Sequence, residues 1–187
     1  MAIAPVRLMT ADEFLQMSFE HPVELERGEV VEMPPASFRH SEICARISEL
    51  LRQWSRTTSA GLRVATSDAA ILTGRSPDTV RGGDVVAVFQ SRLSGEAELK
   101  RALKVAPDLV VEVLSPSDRL PKVLAKTAEY LAAGVSEVWL VDPDEHRVDV
   151  YRGSARSPRT LGADQFLTSP DLLPGFSAPV TAFFADL

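Results

Sequence analysis

Cysteine is all but missing from this 187-residue chain: Cys44 stands alone. One thiol cannot close an internal disulfide or build a multi-thiolate zinc cluster, which excludes a stapled secreted scaffold and a zinc finger and points to a reducing compartment. Long apolar runs are missing too. No stretch approaches the ~20 residues of a membrane span, and the opening MAIAPVRLMTADEF has no apolar core followed by a small-residue cleavage site. A cytoplasmic protein without membrane contact is expected. Positive charge is in deficit, with Lys+Arg 20 against Asp+Glu 26 and a net charge of −6. Diffuse attraction to a polyanion is therefore excluded, and any nucleic-acid contact must be local or assisted by bound metal ions. Internal repeats and low-complexity tracts are also absent.

What remains is ordinary globular material, 45% hydrophobic and 25% charged, of a length that predicts one domain over residues 1–187. Thr10-Ala-Asp-Glu13 reads as a capping box opening a short helix with Phe14, Leu15 and Met17. His21-Pro22 stops it, and Val23 to Met33 forms a hairpin around Arg27-Gly28. From Ser37 to about Arg56, Ile43, Ile47, Leu50, Leu51 and Trp54 trace one stripe of a long helix. Leu62–Ala65 and Ala69–Leu72 read as short strands, Gly74–Pro77 as a turn and Val85–Phe89 as a strand.

Ser91 to Lys104 is a polar connection, and Leu109–Leu114 a central strand. Ser115–Asp118 supplies a turn and a helix N-cap, and Val123, Leu124, Thr127, Tyr130 and Leu131 give the next helix its apolar face, ended by Gly134. Glu137–Val141 and Arg147–Tyr151 are further strands, and the apolar tail from Leu172 to Phe184 docks on the body. The expected class is α/β or α+β: a mixed β-sheet flanked by helices, with an N-terminal hairpin and one strand–helix–strand unit at 109–141.

Two of these strands carry an acid in apolar surroundings, Asp84 at the head of DVVAVF and Glu112 within LVVEVLS. Each either faces solvent or needs a partner, because a buried carboxylate costs several kcal/mol of desolvation. If neighbouring strands bring the two together, Mg²⁺ is the economical partner, and such a site performs phosphoryl chemistry. Lys122 and Lys126 share a face of the helix that follows, from which an ammonium reaches back over the strand end or stays solvated. Trp54 and Trp139 read as core, and Cys44 as a small buried hydrophobe with no activating neighbour. Arg75, Arg81, Arg92, Lys100, Arg101 and Lys104 are either solvated loop charges or a phosphate track.

These words together carry a resemblance. Val23-Glu-Leu-Glu-Arg-Gly-Glu29, Met33-Pro-Pro35, His40, Gly83-Asp84-Val-Val, Pro107-Asp-Leu-Val-Val-Glu-Val-Leu-Ser-Pro-Ser-Asp118, Lys126 with Tyr130, Gly134-Val-Ser-Glu-Val-Trp-Leu-Val-Asp-Pro143 and Leu173-Pro-Gly-Phe176 span nearly the whole chain. The sequence resembles the Uma-type restriction endonuclease family of the PD-(D/E)XK nuclease superfamily. The resemblance implies a restriction-endonuclease-like core and a Mg²⁺-dependent endonuclease, with Mn²⁺ as substitute, acting on nucleic acid, DNA first, as a homodimer. It makes Asp84 and Glu112 metal ligands, with the Val113 carbonyl completing the shell, and gives Lys126 the lysine's role. Glu26 or Glu24, together with His40, match family positions near the metal or phosphate. Gly83 stands where the superfamily has proline, and Leu114 where it has lysine, so the lysine must come from the helix. The rivals are a nuclease fold that binds or scaffolds without cutting, and a phosphatase for small substrates.

Overall fold

The computed structural model describes residues 7–95, 103, 105–153 and 157–185. Helix α1 (Ala11–Phe14) opens on the expected capping box, with the Glu13 amide donating to the Thr10 hydroxyl and the Thr10 amide to Glu13. Strands β1 (Val23–Glu26) and β2 (Glu29–Glu32) form the N-terminal hairpin. Its turn places Arg27 at φ 51° and Gly28 at φ 83°. Both left-handed positions match the twist of a tight hairpin, and Gly28 is required twice over, since a Cβ there would lie 2.6 Å from Leu8.

Helix α2 (Phe38–Thr58) starts at Ser37, whose hydroxyl accepts the His40 amide, and buries the predicted stripe of Ile43, Ile47, Leu51 and Trp54. Strand β3 (Leu62–Gly74) joins the two short strands expected from sequence into one. The polar triplet between them is a bulge: the pairing with β4 (Thr79–Phe89) shifts between Thr66 and Ala69, and Ser67 and Asp68 take φ of 67° and 55°. Strand β4 is also longer than Val85–Phe89, so Asp84 sits inside it rather than at its head.

Strand β5 (Leu109–Val113), helix α3 (Leu120–Ala132) and strand β6 (Glu137–Asp142) make the predicted strand–helix–strand unit, with β5 and β6 parallel. Asp118 does not cap α3. Its carboxylate closes the preceding turn by accepting the Ser115 amide and hydroxyl, and the helix begins after Arg119 with Pro121 in its first turn. Strands β7 (Arg147–Arg152) and β8 (Arg159–Leu161) continue the sheet, in the order β2-β1-β4-β5-β6-β7-β8 with β3 along the other side of β4. The mixed sheet flanked by helices is therefore as expected.

The faces of the sheet carry different cores. Helix α2 covers Val85, Ala87, Val111, Val113, Trp139 and Val141 on one face, whereas Val86, Val110 and Val138 pack with Tyr130 of α3 on the other. The docked tail is more ordered than its sequence suggested: β9 (Phe166–Ser169) and β10 (Leu173–Pro179) pair, and Phe176 and Phe183 stack on Trp139 at 5.8 and 6.3 Å. Trp54 and Trp139 are core residues, as read. No helix among the described residues is long and apolar enough to cross a membrane.

Candidate active site

Apolar strand residues deliver polar ends to one place, where β4 and β5 meet the start of α2 and the middle of α3. Asp84 leaves β4 and accepts the Val113 amide at Oδ2, 2.7 Å away. That bond ties its carboxylate to the backbone beside Glu112. On the same oxygen lies His40 Nε2, at 3.1 Å. Ser37, by capping α2, fixes the first turn from which His40 reaches the sheet.

Glu112 is buried on the α3 face of β5. The Tyr130 hydroxyl lies 2.7 Å from its Oε1 and Lys126 Nζ 3.2 Å from its carboxylate. Burial pushes the Glu112 carboxyl up to about 8; the Lys126 charge opposes this, and the Asp84 charge adds to it. The two acids thus feel each other, although burial is the larger cause of the shift on Glu112. Carboxylate oxygens are the donors a hard divalent ion takes, so the chemistry of Asp84 and Glu112 fits the metal that the resemblance implies.

Lys126 is held on three sides. Its Nζ donates to Gly82 O at 2.8 Å and reaches Glu24 Oε1 at 2.9 Å as well as Glu112. Burial works against the charge, yet the Glu112 and Glu24 carboxylates hold the ammonium above the ordinary lysine range. All three N–H donors are engaged, which makes Lys126 a fixed charge rather than a free base. Lys122, one turn earlier, is exposed.

Of the two glutamates left open in β1, Glu24 is the inward one. It is buried, accepts the Gly82 amide at 2.8 Å and meets Lys126. Glu26, with its side chain 47% exposed, reaches Arg81 at 3.3 Å and, among the described residues, is not brought to Lys126 or Glu112 as Glu24 is to Lys126. Shared parity on a strand could not choose between them; the contacts across to β4, where the Gly82 amide and Arg81 meet Glu24, do. Arg81 is likewise no phosphate ligand: buried, it binds Glu24 and Glu129 at 3.0 and 2.7 Å. Arg92 pairs with Asp108 and Arg75 with Asp78, while Lys100, Arg101 and Lys104 lie outside the described residues.

Two participants escaped the sequence reading. Asp68, in the bulge of β3, has its carboxyl raised by burial and by the nearby Asp84 charge. A Cβ on Gly82 would come within 2.8 Å of Asp68 Cβ, so the glycine lets the bulge lie against β4. The gap between the two strand candidates was its only signal. Cys44 is buried as expected, but it does have a neighbour: its Sγ lies 3.7 Å from His40 Nδ1, one helical turn away. The hydrogen bond to Asp84 above all pushes the His40 imidazole up to about 10, and burial raises the Cys44 thiol.

Not every strand acid belongs here. Glu137, fully buried in β6, accepts from Trp139 Nε1, Ser169 Oγ and Arg152 Nε at 2.7, 2.7 and 3.1 Å and is thereby satisfied inside the protein. Glu112 resembles it in burial but not in company. Replacing Tyr130 with phenylalanine removes the shortest donor to Glu112. The expected cost is about 1–3 kcal/mol of unfolding free energy, measured in urea.

A model of the Uma2 family, described as "Putative restriction endonuclease", matches residues 11–181. Among solved structures, one described as a putative nuclease belonging to DUF820, from Anabaena variabilis ATCC 29413, superposes with a TM-score of 0.80 at 23% identity. The match covers 95% of this chain and 98% of that one, and it shows a shared fold. Curated proteins offer no match. The mixed sheet with its flanking helices is thus the restriction-endonuclease-like core expected from the sequence.

Proposed function

The chain belongs to the Uma2 family of putative restriction endonucleases, and on that premise we propose that it is a divalent-metal-dependent endonuclease hydrolysing phosphodiester bonds of DNA. The observation that carries this reading is that Asp84, inside β4, is bonded to the backbone beside Glu112 near the end of β5, and Glu112 in turn meets Lys126 of α3. Asp84 and Glu112, with the Val113 carbonyl, would hold Mg²⁺ or Mn²⁺. The ion, when bound, supplies charge stabilisation on phosphate oxygens and a more acidic water.

The chain's own groups do the rest. Tyr130 and Lys126 aim the Glu112 carboxylate, and Glu24 and the Gly82 carbonyl hold Lys126 in place. The Lys126 ammonium favours negative charge gathering at the phosphate beside it. His40, donating to Asp84, orients that carboxylate and offers positive charge at the rim. The protein acts as a single domain, in the cytoplasm, and as a homodimer if it cuts both strands.

A silent binding module of the same fold is the second reading. It is favoured by the net charge of −6 and by Leu114 at the position of the in-strand lysine. Incubating the purified chain with supercoiled, linear and single-stranded DNA and with RNA, with Mg²⁺, Mn²⁺ or chelator, separates the two. Nicking or linearisation of DNA that needs the metal is expected. Intact DNA under every metal condition would overturn the endonuclease reading.

A further inference from the structure

We propose that His40, Cys44 and Asp84 form a second cation site, for a thiophilic divalent ion of the zinc class, that shares Asp84 with the hydrolytic centre. The three residues offer one nitrogen, one sulfur and one oxygen within 4.8 Å of one another, the only such group of histidine, cysteine and acid among the described residues. Residues 40 and 44 are one turn apart on α2 and present their donors on one face, and Asp84 faces them from β4. The imidazole turns Nδ1 to Cys44 Sγ at 3.7 Å and Nε2 to Asp84 Oδ2 at 3.1 Å, so one ion would take one of these nitrogens and displace the contact made by the other.

A tetrahedral ion with bonds of about 2.0–2.3 Å needs donors about 3.3–3.7 Å apart. Closing the set on it requires the His40 ring to turn until one nitrogen faces the sulfur and the carboxylate together. Three protein ligands leave a fourth position for water or a phosphate oxygen. The donor set also sorts ions: thiolate and imidazole suit zinc-class metals, whereas Mg²⁺ prefers the all-oxygen side toward Glu112. On coordination the Cys44 thiol and the protonated His40 imidazole each give up a proton to solvent. Burial of Cys44 favours a small ion over bulky thiol reagents. An ion held here draws Asp84 away from Glu112 and stops cleavage. That consequence rests on the endonuclease reading, but the ion site itself does not.

Titrating metal-free full chain with Co²⁺ tests the site without reference to activity. One Co²⁺ per chain with a sulfur-to-cobalt charge-transfer absorption is expected, abolished by added Zn²⁺ and absent in Cys44→Ser and Cys44→Ala, the latter leaving no hydroxyl to bury. His40→Ala is expected to weaken Co²⁺ binding by about tenfold or more, since even losing an outer partner of a ligand costs about that much. No charge-transfer band in the wild type, or unchanged Co²⁺ affinity in both His40→Ala and Asp84→Asn, would overturn the proposal. A band without DNA cleavage under Mg²⁺ removes the endonuclease reading and keeps the site, and Mg²⁺-dependent cleavage without a band does the reverse.

Discussion

Lys126→Met is expected to abolish cleavage and to lower the stability of the fold by about 3–5 kcal/mol, because breaking a buried ion pair strands the partner charge. Here Glu112 loses its ammonium partner and keeps only the Tyr130 hydroxyl among the described contacts, whereas Glu24 retains Arg81 and the Gly82 amide. Methionine keeps a long unbranched side chain while removing the ammonium, which lies 5.9 Å from the centroid of the Tyr130 ring, so the loss reports charge rather than volume. Urea unfolding measures it. Adding Glu112→Gln to the same chain should recover about 1 kcal/mol or more of stability, since neighbours in one network do not add, and should recover no activity. An unfolding free energy within about 0.5 kcal/mol of wild type for the single variant would show that the Lys126 contacts contribute little.

Asp84→Asn separates chemistry from folding in the opposite direction. The asparagine carbonyl still accepts the Val113 amide and still meets His40, so the local backbone has no reason to move. What vanishes is the negative charge that would hold the metal. Cleavage is expected to fall by about 10³-fold or more, equivalent to about 4 kcal/mol of transition-state stabilisation, while unfolding shifts by less than about 2 kcal/mol. Single-turnover cleavage of a plasmid and calorimetric unfolding read the two numbers. Undiminished cleavage would remove Asp84 from the mechanism.

Local rules were legible in the sequence wherever one residue type has one solution. The Thr10 capping box, the Arg27-Gly28 hairpin, the Ile43-to-Trp54 stripe and the 109–141 strand–helix–strand unit all appear as their spacing predicts. Pairing across the sheet was not legible. The bulge at Ser67-Asp68 looks like a loop until β4 lies beside it, and Glu24 cannot be told from Glu26 until the Gly82 amide and Arg81 of β4 meet it. The N-cap expected near Ser115–Asp118 failed for a similar reason: Asp118 had a closer donor in Ser115 than any helix amide. Cys44 was read against the residues beside it in sequence, although its neighbour in space is four positions back.

At the site, Asp84, Glu112 and Lys126 were visible as charged residues in apolar words, and their company was not. Tyr130 reads as a core position on the α3 stripe, and it is one, but its hydroxyl ends on Glu112. Arg81 reads as a loop charge and is instead buried between Glu24 and Glu129. Periodicity reports which face a residue lies on; it is silent about what the far end of a long polar side chain finds there.

On the proposed mechanism Asp84 and Glu112 share one divalent ion. Isothermal titration of Mg²⁺ and Mn²⁺ into the wild type, Asp84→Asn and Glu112→Gln tests it without any assumption about substrate. Saturable binding by the wild type that both substitutions abolish is the predicted result; binding that survives both, or a wild type that takes up neither ion, would contradict it.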